Sequence, residues 1–78
     1  MNTVPLASIV NALRGMGYDI AAEDDDFVIL DTTDTHEWPI MLDKWMDPVP
    51  FRDILDQIET AGLDIQTFRD ALGVPAHW

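Results

Sequence analysis

The stretch Glu23-Asp24-Asp25-Asp26-Phe27-Val28-Ile29-Leu30-Asp31-Thr32-Thr33-Asp34-Thr35-His36-Glu37 decides the fold of this sequence. Its apolar run, Phe27–Leu30, is flanked by turn-forming aspartate and threonine, which predicts one buried strand between two tight connections. Seven of the fifteen acidic side chains lie at its two ends: Glu23, Asp24, Asp25, Asp26, Asp31, Asp34 and Glu37. One segment therefore supplies both the centre of a small sheet and the densest negative charge.

Length and composition narrow the class of protein. Seventy-eight residues with 47% hydrophobic content predict one folded domain of modest stability. The chain has no cysteine, the sequence contains no membrane-length apolar run, and its N-terminus lacks the basic start of a signal peptide, so we expect a cytoplasmic protein. Fifteen acids against four bases give a formal charge of −11, which repels phosphate backbones and attracts basic surfaces.

The segments on either side of this stretch predict the remaining strands and the first helix. Apolar residues at helical spacing predict a helix over residues 3–14, with Thr3 as its N-cap. Alternation over residues 18–22 predicts a half-buried strand with Tyr18, Ile20 and Ala22 on one face. A third strand is predicted over residues 38–43, with Trp38, Ile40 and Leu42 buried, and Pro39 favours an edge position for it.

The C-terminal half predicts an irregular connection over residues 44–50 and then two helices. The first runs from about residue 50 to 61, and its predicted buried stripe is Phe51, Ile54, Leu55 and Ile58. Asp64 is the predicted N-cap of a short helix over residues 65–72. The fold class is α+β: a three-stranded antiparallel sheet with helices packed on one face, in the order α-β-β-β-α-α.

Two segments carry a family resemblance. The first helix ends at Arg14-Gly15-Met16-Gly17-Tyr18, and after the three strands comes Phe51-Arg52-Asp53-Ile54-Leu55-Asp56-Gln57-Ile58-Glu59-Thr60-Ala61-Gly62-Leu63. This pattern resembles the HicA toxins, small mRNA interferases with a double-stranded-RNA-binding-like fold. The resemblance implies the same fold and, for an active member, RNA cleavage by a histidine in a Gly-Ser-His segment. At that place the present sequence has Asp24-Asp25-Asp26-Phe27, and its nearest histidine, His36, lies one connection later.

Three other patterns are typical of specific chemistry but have simpler explanations. The aspartates of residues 24–34, with His36 and Glu37, offer oxygen ligands for a cation, but they lack EF-hand spacing, so we expect no metal and no cofactor. Residues 57–72 have the outline of a helix-turn-helix, but Arg69 is the only base of its second helix, and DNA binding needs more. No carboxylate pair lies in an apolar context that marks it for acid–base catalysis. We therefore predict a protein that is not an enzyme.

The acidic surplus favours a role in charge mimicry. Carboxylates on neighbouring turns and along one helix face can occupy a basic channel in place of nucleic-acid phosphates. Small acidic proteins without catalytic residues of this kind occur among phage anti-CRISPR and other DNA-mimic inhibitors. The predicted partner is thus a basic nucleic-acid-binding protein, with no direct nucleic-acid or membrane binding, and the chain is expected to be a monomer. The predicted contact residues are Asp24, Asp25, Asp26, Asp31, Asp34 and Glu37, followed by Asp53, Asp56 and Glu59.

Two alternatives remain open at this stage. The first is a diverged HicA-like RNase or toxin–antitoxin component, in which His36 would be the residue to test. The second is a structural subunit that packs through Trp45 and Met46, because aromatic side chains in loops often anchor protein contacts.

Overall fold

The computed structural model describes residues 2–34 and 36–78, and its elements alternate between short strands and helices. In chain order they are β1 (Thr3–Val4), α1 (Leu6–Gly15), β2 (Asp19–Glu23), β3 (Phe27–Asp31), β4 (Ile40–Asp43), a 3₁₀ turn (Lys44–Met46), β5 (Val49–Pro50), α2 (Phe51–Thr60) and α3 (Ile65–Leu72). The predicted α+β class is confirmed, with three helices and a three-stranded antiparallel sheet in the described part of the chain.

The three-stranded sheet has the order β2-β3-β4, with the apolar run at its centre. Val28 and Leu30 of β3 pair with Leu42 and Ile40 of β4, and all four side chains are buried. We call the side of the sheet that carries them the inner face. Phe27 precedes the inward-facing Val28, and Ile29 lies between Val28 and Leu30, so the alternation of the strand places Phe27 and Ile29 on the opposite, outer face.

The prediction that β2 is half-buried is wrong. All five residues of β2 are exposed, and the register shifts between Ile20 and Ala22. This bulge pairs Ile20 with the inward-facing Leu30 but Ala22 with Ile29, so the two side chains do not share a face. Tyr18, which was expected in the strand, precedes it and is almost completely buried.

The start of α1 corrects the expected N-cap. Thr3 lies in β1, and the helix begins at Leu6 after Pro5, whose side chain offers no cap. The Leu6 N–H instead donates to the Asp47 carboxylate at 3.0 Å, an acceptor 41 residues away in sequence. A side-chain oxygen from a distant loop thus satisfies one of the amides that every helix N-terminus leaves unpaired.

The two C-terminal helices follow the sequence closely. Helix α2 buries Phe51, Ile54 and Ile58, while Leu55 of the predicted stripe is only partly buried. Helix α3 has the predicted bounds, and Asp64 Oδ2 accepts both the N–H (3.0 Å) and the hydroxyl (2.7 Å) of Thr67. It ends at Gly73, whose φ of 73° is a left-handed conformation that glycine adopts without strain.

The segment predicted as an irregular connection is more ordered than expected. It forms the 3₁₀ turn and then β5, which pairs antiparallel with β1 through Thr3–Pro50 and Val4–Val49. This two-stranded sheet brings the start of α1 beside the start of α2, and the Phe51 N–H donates to the Asn2 carbonyl at 2.9 Å.

The inner face of the sheet and the buried sides of the helices form one hydrophobic cluster. It includes Ile9, Leu13, Leu30, Ile54 and Phe68, each completely buried. Trp38 was predicted to be core and is not: it precedes β4, and 70% of its surface is exposed. Its N–H donates to the Ala61 carbonyl at 3.0 Å, so its backbone closes the end of α2 while its ring faces outward.

Candidate interaction surface

The turn between β2 and β3, residues Glu23 to Asp26, is called the acidic turn here. The side chain of Asp24 orders its backbone. Asp24 Oδ1 accepts the N–H groups of Asp26 and Phe27, both at 2.8 Å. These two backbone hydrogen bonds favour the charged carboxylate and lower the pKa of Asp24, with a smaller contribution from Lys44. Asp24 is therefore part of the scaffold of the turn, because its carboxylate fixes the backbone locally.

Lys44 and Trp45, which follow the C-terminal end of β4, contact the acidic turn and stabilise it. The Lys44 ammonium lies 2.6 Å from Glu23 Oε2 and 2.6 Å from the Asp24 carbonyl. The backbone N–H of Lys44 donates to the Asp26 carbonyl at 2.8 Å. The Trp45 indole N–H donates to Asp26 Oδ1 at 2.8 Å. We call these contacts the Lys44 clamp. Sequence reasoning missed it, since the only signal was the placement of the chain's one lysine directly after the third strand.

The clamp leaves the acidic turn negative and sets an aromatic ring beside it. Four carboxylates and one ammonium give the braced turn a formal charge of −3. All four acidic side chains are exposed, and so is 79% of the Trp45 surface. Among the described residues, the Asp25 carboxylate has no hydrogen bond or ion pair within the chain. The turn thus presents the Trp45 indole and the carboxylates of Glu23, Asp24 and Asp26 in a fixed arrangement, with the exposed Asp25 beside them.

The second predicted group, Asp31, Asp34 and Glu37, forms the acidic connection between β3 and β4. Two of these carboxylates organise the loop: Asp31 Oδ1 accepts the Thr32 N–H at 2.8 Å, and Asp34 Oδ1 accepts the His36 N–H at 2.9 Å. Thr35, in the middle of this connection, lies outside the described residues. Asp31 and Asp34 are exposed and Glu37 is half-buried.

The pKa of Tyr18 depends on the negative charge of the acidic connection. Its hydroxyl donates to the Trp38 carbonyl at 2.9 Å. Burial, followed by repulsion from Glu37, Asp31 and Asp34, disfavours the phenolate and raises the pKa of Tyr18 to about 12. The three carboxylates therefore act on one common point.

The structure separates the first six predicted contact residues into two groups. The acidic turn precedes β3 and the acidic connection follows it, so the length of the strand lies between them. Four residue intervals at roughly 3.3 Å each place the two groups about 13 Å apart along the strand. They are two negative poles of one sheet and not a single row.

The third predicted group, Asp53, Asp56 and Glu59, lies on the exposed side of α2. Asp56 and Trp38 line one cleft, which brings this helix beside the acidic connection. Asp53 lines a larger cleft of about 540 Å³ between Phe51 and Trp78. Arg52 and Asp56 lie four residues apart in α2 but form no ion pair among the described residues, so Arg52 does not offset the negative side chain of Asp56.

The described residues also bear on the other chemistries considered for this sequence. No three histidine or acidic side chains among residues 2–34 and 36–78 come together in a metal-binding group. In α3, the Arg69 guanidinium donates to the carbonyls of Pro75 (3.4 Å) and Ala76 (3.0 Å) and lies 5.6 Å from the centre of the Phe51 ring. Its role in the structure is to hold the C-terminal tail on α2.

A search with the chain finds no matching protein family, no similar curated protein and no similar solved structure. No helix in the part of the chain that the structure describes is both long enough and apolar enough to cross a bilayer.

Proposed function

We propose that this protein is a non-enzymatic inhibitor that binds a basic nucleic-acid-binding protein and occupies its nucleic-acid channel by charge mimicry. The observation that carries the proposal is the Lys44 clamp, which holds the backbone of the acidic turn and the carboxylates of Glu23 and Asp26 in fixed positions. Rigid charged groups lose little conformational entropy on binding, and a net charge of −11 attracts a cationic partner from a distance. In this respect the protein resembles phage anti-CRISPR inhibitors as a class.

The separation of the two negative poles fits this proposal. Phosphates on one DNA strand are spaced at roughly 3.4 Å along the helix axis and, because the backbone winds around that axis, about 7 Å apart through space, so about 13 Å corresponds to about two nucleotide steps. The acidic turn and the acidic connection can thus occupy two phosphate positions in one channel. The helix packing expected from the sequence serves the same end, because helices behind the sheet would keep the two poles at a fixed distance.

Affinity capture from host lysate, followed by competition with DNA, tests the proposal. The bait is compared with Asp25→Asn/Asp26→Asn, which removes two charges while asparagine Oδ1 can still accept from Trp45. The matched control, Asp64→Asn/Asp70→Asn, removes the same charge from α3 and keeps a good N-cap. We expect the captured basic protein to be lost with the first variant and kept with the control.

The competition must also be direct. In a mobility-shift assay, the purified partner should release its DNA when the inhibitor is added. The affinity of the inhibitor for the partner should fall steeply as salt rises from 50 to 300 mM, as the affinity of a basic protein for DNA phosphates does. A ternary complex with DNA still bound, or affinity that does not change with salt, would contradict charge mimicry.

A second candidate is a diverged HicA-like RNase or toxin–antitoxin component. The observation in its favour is the order helix, three antiparallel strands, helix over α1 to α2, the arrangement that the resemblance implies. His36 is exposed in the acidic connection, where RNA could reach it. Cleavage of a structured RNA by purified protein, abolished in His36→Ala and retained in His77→Ala, would favour this candidate over the inhibitor.

A further inference from the structure

The outer face of the three-stranded sheet is apolar in its middle and acidic at both ends. The strand register places Ala22, Phe27, Ile29 and Met41 on this side, opposite the buried residues. Phe27 is 38% exposed and Met41 54% exposed, so the described chain covers each of them only in part. A contiguous apolar area of this kind on a small domain commonly marks a contact site.

The same strand register places carboxylates on the outer face, at both ends of the apolar centre. At one end Phe27 pairs with Asp43, and at the other Asp19 pairs with Asp31; directly paired residues share a face. Asp43 Oδ1 accepts the Trp45 N–H at 2.8 Å, and Asp31 Oδ1 accepts the Thr32 N–H. These hydrogen bonds hold Asp43 and Asp31 in place, and the carboxylate of Asp19 lies 3.9 Å from the Arg14 guanidinium.

The charges on the outer face indicate which kind of partner can bind there. A second copy would bring its own three carboxylates and a further −11 against the same surface, and like charges at close range oppose association. A partner with apolar side chains in the middle and cationic groups at both ends would complement every part of the face.

We infer that the outer face binds a partner protein's helix whose apolar stripe is flanked by lysine or arginine. The flanking carboxylates are about 13 Å apart along β3, and a helix rises about 1.5 Å per residue with about 3.6 residues per turn. Basic residues seven positions apart lie on the same side of a helix, about 10.5 Å apart along its axis, and their long side chains reach both ends. Apolar contact here supplies affinity that salt does not screen, whereas the acidic turn supplies attraction that salt does. This inference rests on the proposed function and identifies the part of the basic partner that the sheet contacts.

A synthetic peptide pair tests the inference without knowledge of the natural partner. The probe is an 18-residue helical peptide with leucine along one face and lysine pairs seven residues apart; its control is a scrambled peptide of the same composition. Isotope-labelled protein is titrated with each while amide shifts are recorded. We expect the amphipathic peptide to bind at least tenfold more tightly than the scrambled one, with the largest shifts at Phe27, Ile29 and Met41.

Matched variants separate the face from the overall charge. Met41→Glu adds one negative charge in the middle of the outer face, and Ala7→Glu adds the same charge to the exposed first turn of α1. We expect Met41→Glu to weaken binding at least tenfold and Ala7→Glu to change it less than twofold. Met41→Thr, which keeps the charge and suits a strand, should also weaken binding, and circular dichroism verifies that each variant is folded.

Three outcomes would overturn the inference. They are equal affinity for both peptides, equal effects of Met41→Glu and Ala7→Glu, and concentration-dependent self-association that is lost in Met41→Glu. The proposed function fails separately. If Asp25→Asn/Asp26→Asn abolishes capture of the natural partner and Met41→Glu does not, charge mimicry stands and the outer face is not part of the interface. If neither variant affects capture, the proposed function itself is wrong.

Discussion

The phenol of Tyr18 gives a quantitative test of the field around the acidic connection. In the folded chain its pKa is raised to about 12 by burial and by Glu37, Asp31 and Asp34, against about 10 for an unfolded tyrosine. Because the folded state holds the proton more tightly, its full stability is present below pH 10 and falls as pH rises from 10 to 12. At pH 11 the loss is about 1.4 kcal/mol, and it cannot exceed about 2.7 kcal/mol for two pKa units.

The assay is clean because Tyr18 is the only tyrosine of the chain. Tyrosinate absorbance near 295 nm therefore titrates this one side chain, and urea unfolding at pH 8 and pH 11 gives the linked stability. Tyr18→Phe should lose about 1 kcal/mol at pH 8, because the Trp38 carbonyl loses its donor, and should show no tyrosine-linked loss at pH 11.

Charge variants identify the source of the shift. Glu37→Gln should lower the pKa of Tyr18, while Glu59→Gln, an equal charge change on α2, should leave it nearly unchanged. Added salt should lower the pKa only in part, since burial is the largest cause and is not screened. A folded-state pKa close to 10, or equal effects of the two glutamine variants, would refute this account of the acidic connection.

Three further predictions concern stability. Asp47→Ala should cost about 1 kcal/mol by removing the acceptor of the Leu6 N–H, a fall of roughly 4–8 °C in Tm, while Asp47→Asn should retain most of the stability; equal losses would exclude the cap. Phe68→Ala, at a completely buried site, should cost about 3–5 kcal/mol in urea unfolding, a large part of the roughly 4–12 kcal/mol expected of this chain. The pKa values of Asp24 and Asp64 are lowered by hydrogen bonds, so stability is full above about pH 4 and falls as pH drops through their folded pKa values; acid titration should show a smaller fall in Asp24→Asn, and an unchanged profile would contradict this.

Local signals in the sequence were sufficient for the elements that depend on neighbouring residues. Helix α3 has the predicted bounds because Asp64 and Gly73 fix its two ends within the segment itself. The central strand, Phe27–Asp31, also has its predicted position, because aspartate-rich turns flank a purely apolar run.

The errors fall where distant residues decide the structure. Trp38 follows the apolar alternation of its strand, but its backbone is held by the end of α2 and its ring is left outside. Strands β1 and β5 have two residues each, too few for a periodic signal. The acceptor of the Leu6 N–H comes from Asp47, and no local pattern indicates a contact over 41 residues.

The candidate site was predictable in composition but not in arrangement. The nine carboxylates could be read from the sequence, whereas their division into two poles and a helix face depends on tertiary structure. Several aspartates also fix their own loops, as Asp24 and Asp34 do, and a count of charges does not reveal that use.

The single lysine in the Lys44 clamp has a practical consequence for any search for binding partners. Reagents that attach to primary amines, such as common biotin esters, crosslinkers and activated resins, have Lys44 as their only lysine target. Acylation there removes the ammonium that lies 2.6 Å from Glu23 and from the Asp24 carbonyl. Bait prepared in that way would carry a loosened β2–β3 turn, so tethering through a cysteine introduced at Ala71, an exposed position on α3, is the better choice.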